Sequence, residues 1–544
     1  MHDFQLTGNL VDIPGRTIRP VRLTVADGHI ASIEAFEGRV DGFLLPGFID
    51  AHVHVESSML IPSEFARLAV LHGTVATVSD PHEIANVLGV HGVDYMIANG
   101  KQVPFHFFFG APSCVPATPF ETAGATIGPD EVGRLLERPE VLYLSEMMNF
   151  PGVLHGDPEV LQKIAHAQRL GKPVDGHAPG LRGEEAGRYI AAGMSTDHEC
   201  FTPEEALDKL ERGMWVQIRE GSAAKNFEAL HPLLQDHWER MMFCSDDKHP
   251  DSLVIGHINA LCARATKAGV DVFKVLQVAC LNPIDHYRLP IGRLRVGDPA
   301  DMILVEDLSD FKVRQTYVRG RLVAEQGRTL IARISAGTPN QFHCGHKSEA
   351  DIYVPATNED LLVIEPYDGQ LITGKRHMRP TIFDGACVAD PDRDLLKIAV
   401  VNRYRDAPVA VGWITAMGLR RGAIASCVAH DSHNIVAVGT NDADLVAAIN
   451  TVIDGQGGIS LADGPLRMAL ALPVAGIMTT ADAYEVARDY GMIDEAAKGL
   501  GCTMAAPYMT LSFMALLVIP HLKMSDFGLF DGDAFDFVHR VGEA

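Results

Sequence analysis

The sequence predicts a TIM-like (β/α)₈ barrel, a small β-sandwich domain built from segments on either side of it, and a C-terminal α+β domain. Three observations support this prediction. Residues 46–286 alternate apolar β-rich runs with helix-like stretches about every 20 to 35 residues, the pattern of repeated βα units around a parallel sheet. Strand-rich segments at residues 1–45 and 287–335 bracket that region. Over residues 336–544 the pattern of strand-like and helix-like stretches changes again.

The flanking segments contain short strands joined by tight turns. Residues 21–25 and 30–33 are alternating apolar runs separated by Asp27-Gly28, a pair that favours a β-hairpin. A similar pattern returns at residues 313–323, where Arg319-Gly320 supplies the turn. We therefore expect the two segments to form one small β domain.

Eight apolar runs in the middle region are candidate barrel strands. Each is followed by a stretch with helix signals, for example residues 62–71 and 159–170. Eight such units in about 240 residues fit a closed barrel, and an open, doubly wound sheet is the structural alternative. The candidate strands end near His54, Asp80, Gly110, Glu146, His177, His198, Arg219 and Asp246.

The C-terminal region mixes Gly- and Pro-containing turns with strands and helices. Residues 396–401 have the composition of a strand, and helices are expected at residues 442–453 and 481–490. The longest apolar run, residues 509–519, is about half the roughly 20 residues that a bilayer helix needs, so we expect a buried helix there.

Composition limits the kinds of partner and the compartment that we expect for this chain. At 544 residues the chain is too long for one core. Its 46 basic and 70 acidic residues give a net charge of −24, which argues against nucleic acid polymers and anionic membranes as partners. The N-terminus lacks the features of a secretory signal, and the nine cysteines are scattered without a Cys-x-x-Cys pair. We therefore expect a cytoplasmic protein with reduced thiols.

Ligand-type side chains stand where the predicted strands end. His52 and His54 are two residues apart on a strand, so both imidazoles point to the same face. Taken singly, the other strand-end residues could cap helices or lie in loops. Together at one barrel mouth, they suit two divalent metals that share a hydroxide. Those other residues are Glu146, His177, His198, Asp246 and Asp247.

The string Asp80-Pro81-His82-Glu83 has two interpretations. Asp, Pro and Glu at these positions are typical of a helix start with a capping box. The position at the mouth of strand two instead indicates that His82 or Glu83 contacts substrate or a metal-bound water.

Two other charged groups are weaker candidates. Arg219 and Glu220 close strand seven as a pair that could contact substrate or form a structural ion pair. In the C-terminal domain, residues 430–434 (His-Asp-Ser-His-Asn) are interpreted as a solvated turn, with a loop that leans over the barrel mouth as the alternative.

The chain resembles the amidohydrolase superfamily and, within it, the adenine deaminases of bacteria. The resemblance runs the full length and is carried by specific strings rather than by the His-x-His pair alone. Those strings are residues 45–58 (LPGFIDAHVHVESS), 80–83 (DPHE), 176–180 (GHAPG), 197–199 (DHE), 218–221 (IREG) and 244–250 (CSDDKHP).

The resemblance implies a role for each strand-end residue. His52 and His54 would hold the more buried metal, and His177 and His198 the other. Glu146 would bridge both metals, in place of the carboxylated lysine of the dihydroorotase and hydantoinase groups. Asp246 would bind metal and move protons, and Glu83 and His82 would be further catalytic groups. The implied substrate contacts are Asp80, Arg219, Glu220 and Asp247.

The implied activity is the hydrolytic deamination of adenine to hypoxanthine and ammonia, a reaction of purine salvage. A metal-bound hydroxide would attack C6 while Asp246 accepts its proton, and Glu83 would protonate the ring nitrogen. We expect two divalent metals, Mn²⁺ first and Fe²⁺ or Zn²⁺ as alternatives. Adenine and water are the expected partners, in a homo-oligomer that we expect to be a dimer. Another amidohydrolase reaction, such as cyclic amide hydrolysis, and a non-catalytic metal-binding scaffold are the competing interpretations.

Overall fold

The computed structural model describes residues 3–540. Residues 1–2 of the predicted β domain and 541–544 of the predicted C-terminal domain lie outside the described residues. Three eight-stranded sheets organise the chain between these limits. Within residues 3–540, no helix combines the length and apolar character that a membrane crossing requires.

The N-terminal strands begin the first sheet. β2 and β3 form the expected hairpin, and its turn residues Asp27 and Gly28 have φ angles of 48° and 78°. Both therefore adopt the left-handed conformation that two-residue hairpin turns need. The strands are β1 (Phe4–Asp12), β2 (Thr17–Ala26), β3 (His29–Ala35) and β4 (Phe43–Pro46).

The second sheet is the barrel, and every neighbouring pair in it is parallel. It closes between its first and last strands, where Val53 bridges Asp246 and the Asp246 amide donates to the His52 carbonyl at 2.9 Å. The strands are β5 (Phe48–Val53), β6 (Thr74–Ser79), β7 (His106–Ala111), β8 (Val141–Met147), β9 (Val174–Gly176), β10 (Met194–Asp197), β11 (Trp215–Arg219) and β12 (Met241–Cys244).

Helices follow the barrel strands and surround them. Because the strands are covered on both faces, strands such as β5, β6 and β12 are buried at every residue rather than at alternate ones. The helices are α1 (Pro62–Ala69), α2 (His82–Leu88), α3 (Val90–Gly100), α4 (Pro129–Leu136), α5 (Phe150–His155), α6 (Pro158–Arg169), α7 (Gly183–Ala191), α8 (Pro203–Glu211), α9 (Phe227–Leu230), α10 (Leu234–His237), α11 (Pro250–Ile255), α12 (Ile258–Lys267), α13 (Val272–Leu276) and α14 (Asn282–Tyr287).

Four strands after the barrel complete the first sheet. Its order is β16-β15-β14-β13-β4-β1-β2-β3, so segments from both sides of the barrel pair through β4 and β13. Leu23, Met302 and Tyr317 belong to its own small core. The four strands are β13 (Met302–Val305), β14 (Val313–Val318), β15 (Arg321–Glu325) and β16 (Arg328–Thr329).

The third sheet belongs to the C-terminal domain and has the order β18-β17-β22-β21-β24-β23-β25-β26. A two-stranded ribbon (β19, β20) and a three-stranded sheet (β27–β29) accompany it. The strands are β17 (Leu361–Pro366), β18 (Thr373–Met378), β19 (Thr381–Phe383), β20 (Ala386–Val388), β21 (Leu396–Val401), β22 (Ala410–Ile414), β23 (Ala423–Ser426), β24 (Ile435–Gly439), β25 (Ile459–Asp463), β26 (Leu466–Leu470), β27 (Leu522–Ser525), β28 (Gly528–Asp531) and β29 (Asp536–Arg540).

Three helices complete this domain: α15 (Asp442–Asp454), α16 (Ala483–Gly499) and α17 (Pro507–Phe513). The helix expected at residues 442–453 is present, and the one expected at 481–490 begins two residues later and runs nine residues further. The apolar run at 509–519 is buried, but only its first half is helical.

The C-terminal domain has a hydrophobic core of its own, which includes Ala399 and Ile449, and it also shares a core with the barrel. Apolar residues of both, among them Leu60 of the barrel and Met478 of the domain, belong to one buried cluster. An ion-pair network adds to the junction, because Arg67 on α1 contacts Glu64 at 2.5 Å and Asp482 at 2.8 Å. The domain is therefore fixed to the barrel.

Candidate active site

His52 and His54 lie at the carboxyl end of β5, with their ring centroids 4.9 Å apart. Both are buried, and both direct Nε2 towards Oδ1 of Asp246, at 3.7 Å and 3.3 Å. Asp246 follows β12 and has a φ of 54°, a conformation that costs free energy in a residue with a side chain. The barrel closure at Val53 brings these three side chains together.

Glu146, near the end of β8, lies between two pairs of histidines. Its Oε1 is 3.1 Å from His54 Nε2 and 3.9 Å from His52 Nε2. Its Oε2 is 2.6 Å from His177 Nδ1 and 3.2 Å from His198 Nε2. Each carboxylate oxygen therefore faces a different pair, the arrangement that a bridging ligand requires.

The donor set fits divalent metal ions. The ligand atoms of His52, His54 and Asp246 all lie within 4.8 Å of one another, as do those of His52, Glu146 and His198. Both ring nitrogens of His52 are buried without a hydrogen-bond partner. Burial, with His198 beside it, lowers the pKa of His52 well below its usual value, so the ring is neutral. A neutral imidazole that faces carboxylates can serve as a metal ligand.

The two carboxylates are ionised. Burial is the largest single influence on the pKa of Glu146 and would raise it, but His177, His198 and His54 together outweigh burial and hold the pKa well below its usual range. For Asp246, burial is likewise outweighed by Arg219 acting together with His54 and His198, so its pKa also lies well below its usual range. Both groups are therefore in the form that binds metal.

Arg219 lies beneath the site and connects its two sides. Its guanidinium donates to Asp246 Oδ2 at 2.6 Å and to Glu199 Oε2 at 2.8 Å. Glu199 Oε1 is 3.4 Å from His198 Nε2 and 3.6 Å from His177 Nδ1. Sequence reasoning missed Glu199 as a site residue, although it follows His198 directly at a strand end.

The sequence-predicted residues after β6 also face the site, but the capping box is incomplete. Asp80 Oδ1 accepts from the His82 amide at 3.1 Å, and Asp80 Oδ2 is 3.0 Å from His82 Nδ1. The Glu83 carboxylate does not turn back to the chain; it contacts His430 and His433 instead. His82 Nε2 is 3.6 Å from Asp431 Oδ1.

The interpretation of residues 430–434 as a solvated turn is wrong, and the alternative is confirmed. The segment joins β23 to β24 and is buried throughout, with each residue at most 4% exposed. It leans over the barrel mouth because its histidines pair with Glu83. No local signal distinguishes this segment from a polar turn, since its partner lies 347 residues away.

One small cavity, of about 20 Å³, collects most of these groups. Asp247 lines it and accepts from Ser57 Oγ at 2.5 Å. Glu220 is not among its lining residues and instead lies 2.5 Å from Arg264. The lining residues are His54, His82, Glu83, Glu146, Met148, His177, His198, Glu199, Arg219, Asp246, Asp247, Leu371, His430, Asp431 and Leu516.

Comparison with known proteins agrees with this geometry. The model of the amidohydrolase family matches residues 43–323, and that of the adenine deaminase C-terminal domain matches residues 370–536. The chain is 57% identical to an adenine deaminase of Salinibacter ruber over 99% of each chain. It is 54% identical to one of Sulfurovum sp. and 47% identical to one of Methanosarcina acetivorans, each over 98% of this chain and 99% of the relative. This chain therefore belongs to the adenine deaminase family of the amidohydrolases.

Proposed function

We propose that this protein deaminates adenine hydrolytically, releasing hypoxanthine and ammonia. The observation that carries the proposal is Glu146, whose two carboxylate oxygens face two separate histidine pairs at the mouth of the barrel. The names of the full-length relatives supply the substrate.

Six residues would hold two divalent metals. His52, His54 and Asp246 form one ligand group and His177 with His198 the other, with Glu146 shared between them. Histidine and carboxylate ligands suit Mn²⁺, Fe²⁺ and Zn²⁺, and we propose Mn²⁺. When bound, the metals would lower the pKa of a shared water towards about 7 and so supply a nucleophile at neutral pH.

Asp246 is the proposed proton carrier. Its Oδ2 is held by Arg219 at 2.6 Å, while Oδ1 faces the histidines at the site. The fixed carboxylate can accept a proton from the attacking water and deliver it to the departing amine. Arg219 thereby acts on Asp246 rather than on the substrate, which differs from its expected role as a substrate contact.

The purine would lie between the barrel mouth and the C-terminal domain. His82 and Glu83 face this space from α2, and Asp247 faces it from the loop after β12. Asp80 is not among the lining residues and instead holds His82. Leu371 and Leu516 add apolar surface from the C-terminal domain. Apart from these two residues and Met148, the lining is polar or charged, so it can hydrogen-bond the nitrogens of a heterocycle.

The experiment is a substrate panel. Protein reconstituted with Mn²⁺ is mixed with adenine, other aminopurines and cyclic amides, and both ultraviolet absorbance and ammonia are followed. We expect ammonia and hypoxanthine from adenine. Ring opening of a cyclic amide without ammonia from adenine would favour the alternative hydrolase, and no reaction with any compound would favour a metal-binding scaffold.

A role in cytoplasmic purine salvage is part of the proposal. All nine cysteines are free thiols and eight are buried, which supports a reducing compartment.

A further inference from the structure

The segment that joins β23 to β24 reaches from the C-terminal domain into the barrel mouth. His430 and His433 of this segment are buried, with 4% and 1% of their surface exposed. Both contact the carboxylate of Glu83 on α2, His430 through Nδ1 to Oε1 and His433 through Nε2 to Oε2. Glu83 is thus held by one imidazole on each oxygen.

The backbone fixes which nitrogen of His433 carries its proton. The amide of Ala429 donates to His433 Nδ1 at 3.2 Å, so Nδ1 is the acceptor of this ring. A neutral imidazole has one donor and one acceptor nitrogen, so Nε2 carries the hydrogen. The nitrogen of His433 that carries the hydrogen is therefore the one in contact with Glu83 Oε2.

His430 is fixed by packing as well as by Glu83. Its ring stacks on Phe513 with a centroid separation of 5.4 Å and an interplanar angle of 28°. Its Nε2 is 3.8 Å from Asp247 Oδ1, the oxygen that accepts from Ser57. The chain of contacts from His433 through Glu83 and His430 to Asp247 crosses the rim of the cavity.

We propose that His430 and His433 are positioning residues that hold Glu83 in its working orientation, so that the C-terminal domain completes the active site. The inference rests on the proposed function and extends it to a domain outside the barrel. With a ring nitrogen against each oxygen, Glu83 is an anchored carboxylate that accepts hydrogen bonds, which differs from its expected role as the acid for the purine ring nitrogen. A charge-assisted hydrogen bond such as the one between His430 Nδ1 and Glu83 Oε1 is stronger than a neutral one.

Matched substitutions test the contribution of each ring nitrogen of His430 and His433 separately. His433→Gln can place an N–H where Nε2 stands, whereas His433→Met cannot. His430→Asn can imitate Nδ1, which faces Glu83, whereas His430→Gln imitates Nε2, which faces Asp247. We expect His433→Met and His430→Gln to lower kcat by about 10²-fold or more, and His433→Gln and His430→Asn to recover much of it.

Metal content and KM for adenine serve as controls, and we expect both to stay close to wild type in all four variants. Equal losses in the matched and unmatched members of each pair would overturn the proposal, because a purely structural role does not depend on which nitrogen is imitated.

A double-mutant cycle tests whether the histidines act through Glu83. We expect Glu83→Gln combined with His433→Met to be no slower than Glu83→Gln alone. Losses that multiply would show that His433 acts independently of Glu83 and would contradict the proposal.

An activity-independent measurement keeps the proposal testable if a variant does not fold or if adenine is not the substrate. In the metal-loaded wild type labelled with ¹⁵N-histidine, we expect two strongly downfield imidazole N–H signals that both shift in Glu83→Gln. If both signals stay in place, the proposed contacts to Glu83 are wrong. Absence of ammonia release by the wild type would instead overturn the proposed function. The imidazole N–H spectrum would then be the test of the positioning role.

Discussion

At the residue scale, buried polar side chains hold the strand ends that carry the proposed metal ligands. Asp50, two residues before His52, accepts from the Ser245 amide at 2.9 Å and from His257 Nε2 at 2.8 Å, which joins the ends of β5 and β12. Lys209 donates to the Ala178 carbonyl at 2.8 Å and contacts Asp197, the neighbours of His177 and His198. These contacts fix the strand ends before any metal binds.

Asp246 is the residue on which the proposed proton transfers depend. Asp246→Asn keeps the size of the side chain and an oxygen for a metal, but its amide cannot accept and release a proton at neutral pH. We expect kcat for adenine to fall by about 10²–10⁴-fold while metal content is largely spared. Steady-state kinetics with metal analysis of the same sample checks this, and full activity in the variant would rule out the role.

At the element scale, the position of β8 determines where Glu146 stands. Gly110 on the neighbouring strand β7 leaves room for it, because a Cβ there would lie 2.3 Å from Ser145 Oγ and 2.9 Å from Tyr143 Cε1. Both of these residues belong to β8. The lack of a side chain at Gly110 therefore sets the spacing of two barrel strands.

Gly110→Ala should displace β8 and with it Glu146. We expect a loss of stability of about 1–3 kcal/mol and reduced metal occupancy at equal metal concentration. Thermal unfolding and metal analysis measure the two effects. Gly491→Ala in α16, where a Cβ would meet nothing within 4 Å, is the control and should leave both unchanged or raise stability slightly. Unchanged metal binding in Gly110→Ala would contradict the account.

The barrel elements were predictable from the sequence because short β-rich segments alternate with helical stretches, and polar residues stand at the ends of most of these segments. The predicted strand ends at His54 and Asp80 each fall one residue after the observed ends of β5 and β6. Residues 509–519 show where such prediction fails. Their burial was predictable from hydrophobicity, but the helix stops at Phe513, because the conformation after Phe513 depends on tertiary contacts rather than on hydrophobicity.

The site was predictable where ligands end barrel strands and was missed where another domain supplies residues. His52, His54 and Glu146 follow a local pattern. His430 and Asp431 do not, because their partners Glu83 and His82 lie more than 300 residues away in the sequence. Only the packing of the C-terminal domain on the barrel brings them together.

At the scale of the whole molecule, a junction between the domains contains a buried carboxyl group. Glu121, in the loop after β7, lies near Asp431 and Asp526 of the C-terminal domain. Burial, reinforced by the charge of Asp431, raises its pKa from 4.5 to about 8. Thr118 Oγ1 donates to Glu121 Oε1 at 3.1 Å, and Oε2 has no hydrogen-bond partner.

This group should make stability depend on pH. Between pH 4.5 and about 8 the folded protein keeps a proton that the unfolded chain releases, so its contribution to stability falls as the pH rises through that window. Glu121→Gln removes the effect. We expect the variant and wild type to melt together near pH 5, and the variant to be more stable at pH 9 by on the order of a few kcal/mol. A difference in melting temperature that does not change with pH would contradict this.

The central claim is that Glu146 joins two metals in one catalytic centre, and a metal titration tests it most directly. Metal-free protein receives Mn²⁺ in increments, and ammonia release from adenine is measured at each step. We expect activity to rise to a plateau at two equivalents of Mn²⁺ per chain. A plateau at one equivalent, or full activity without added metal in protein shown to be metal-free, would contradict the two-metal account.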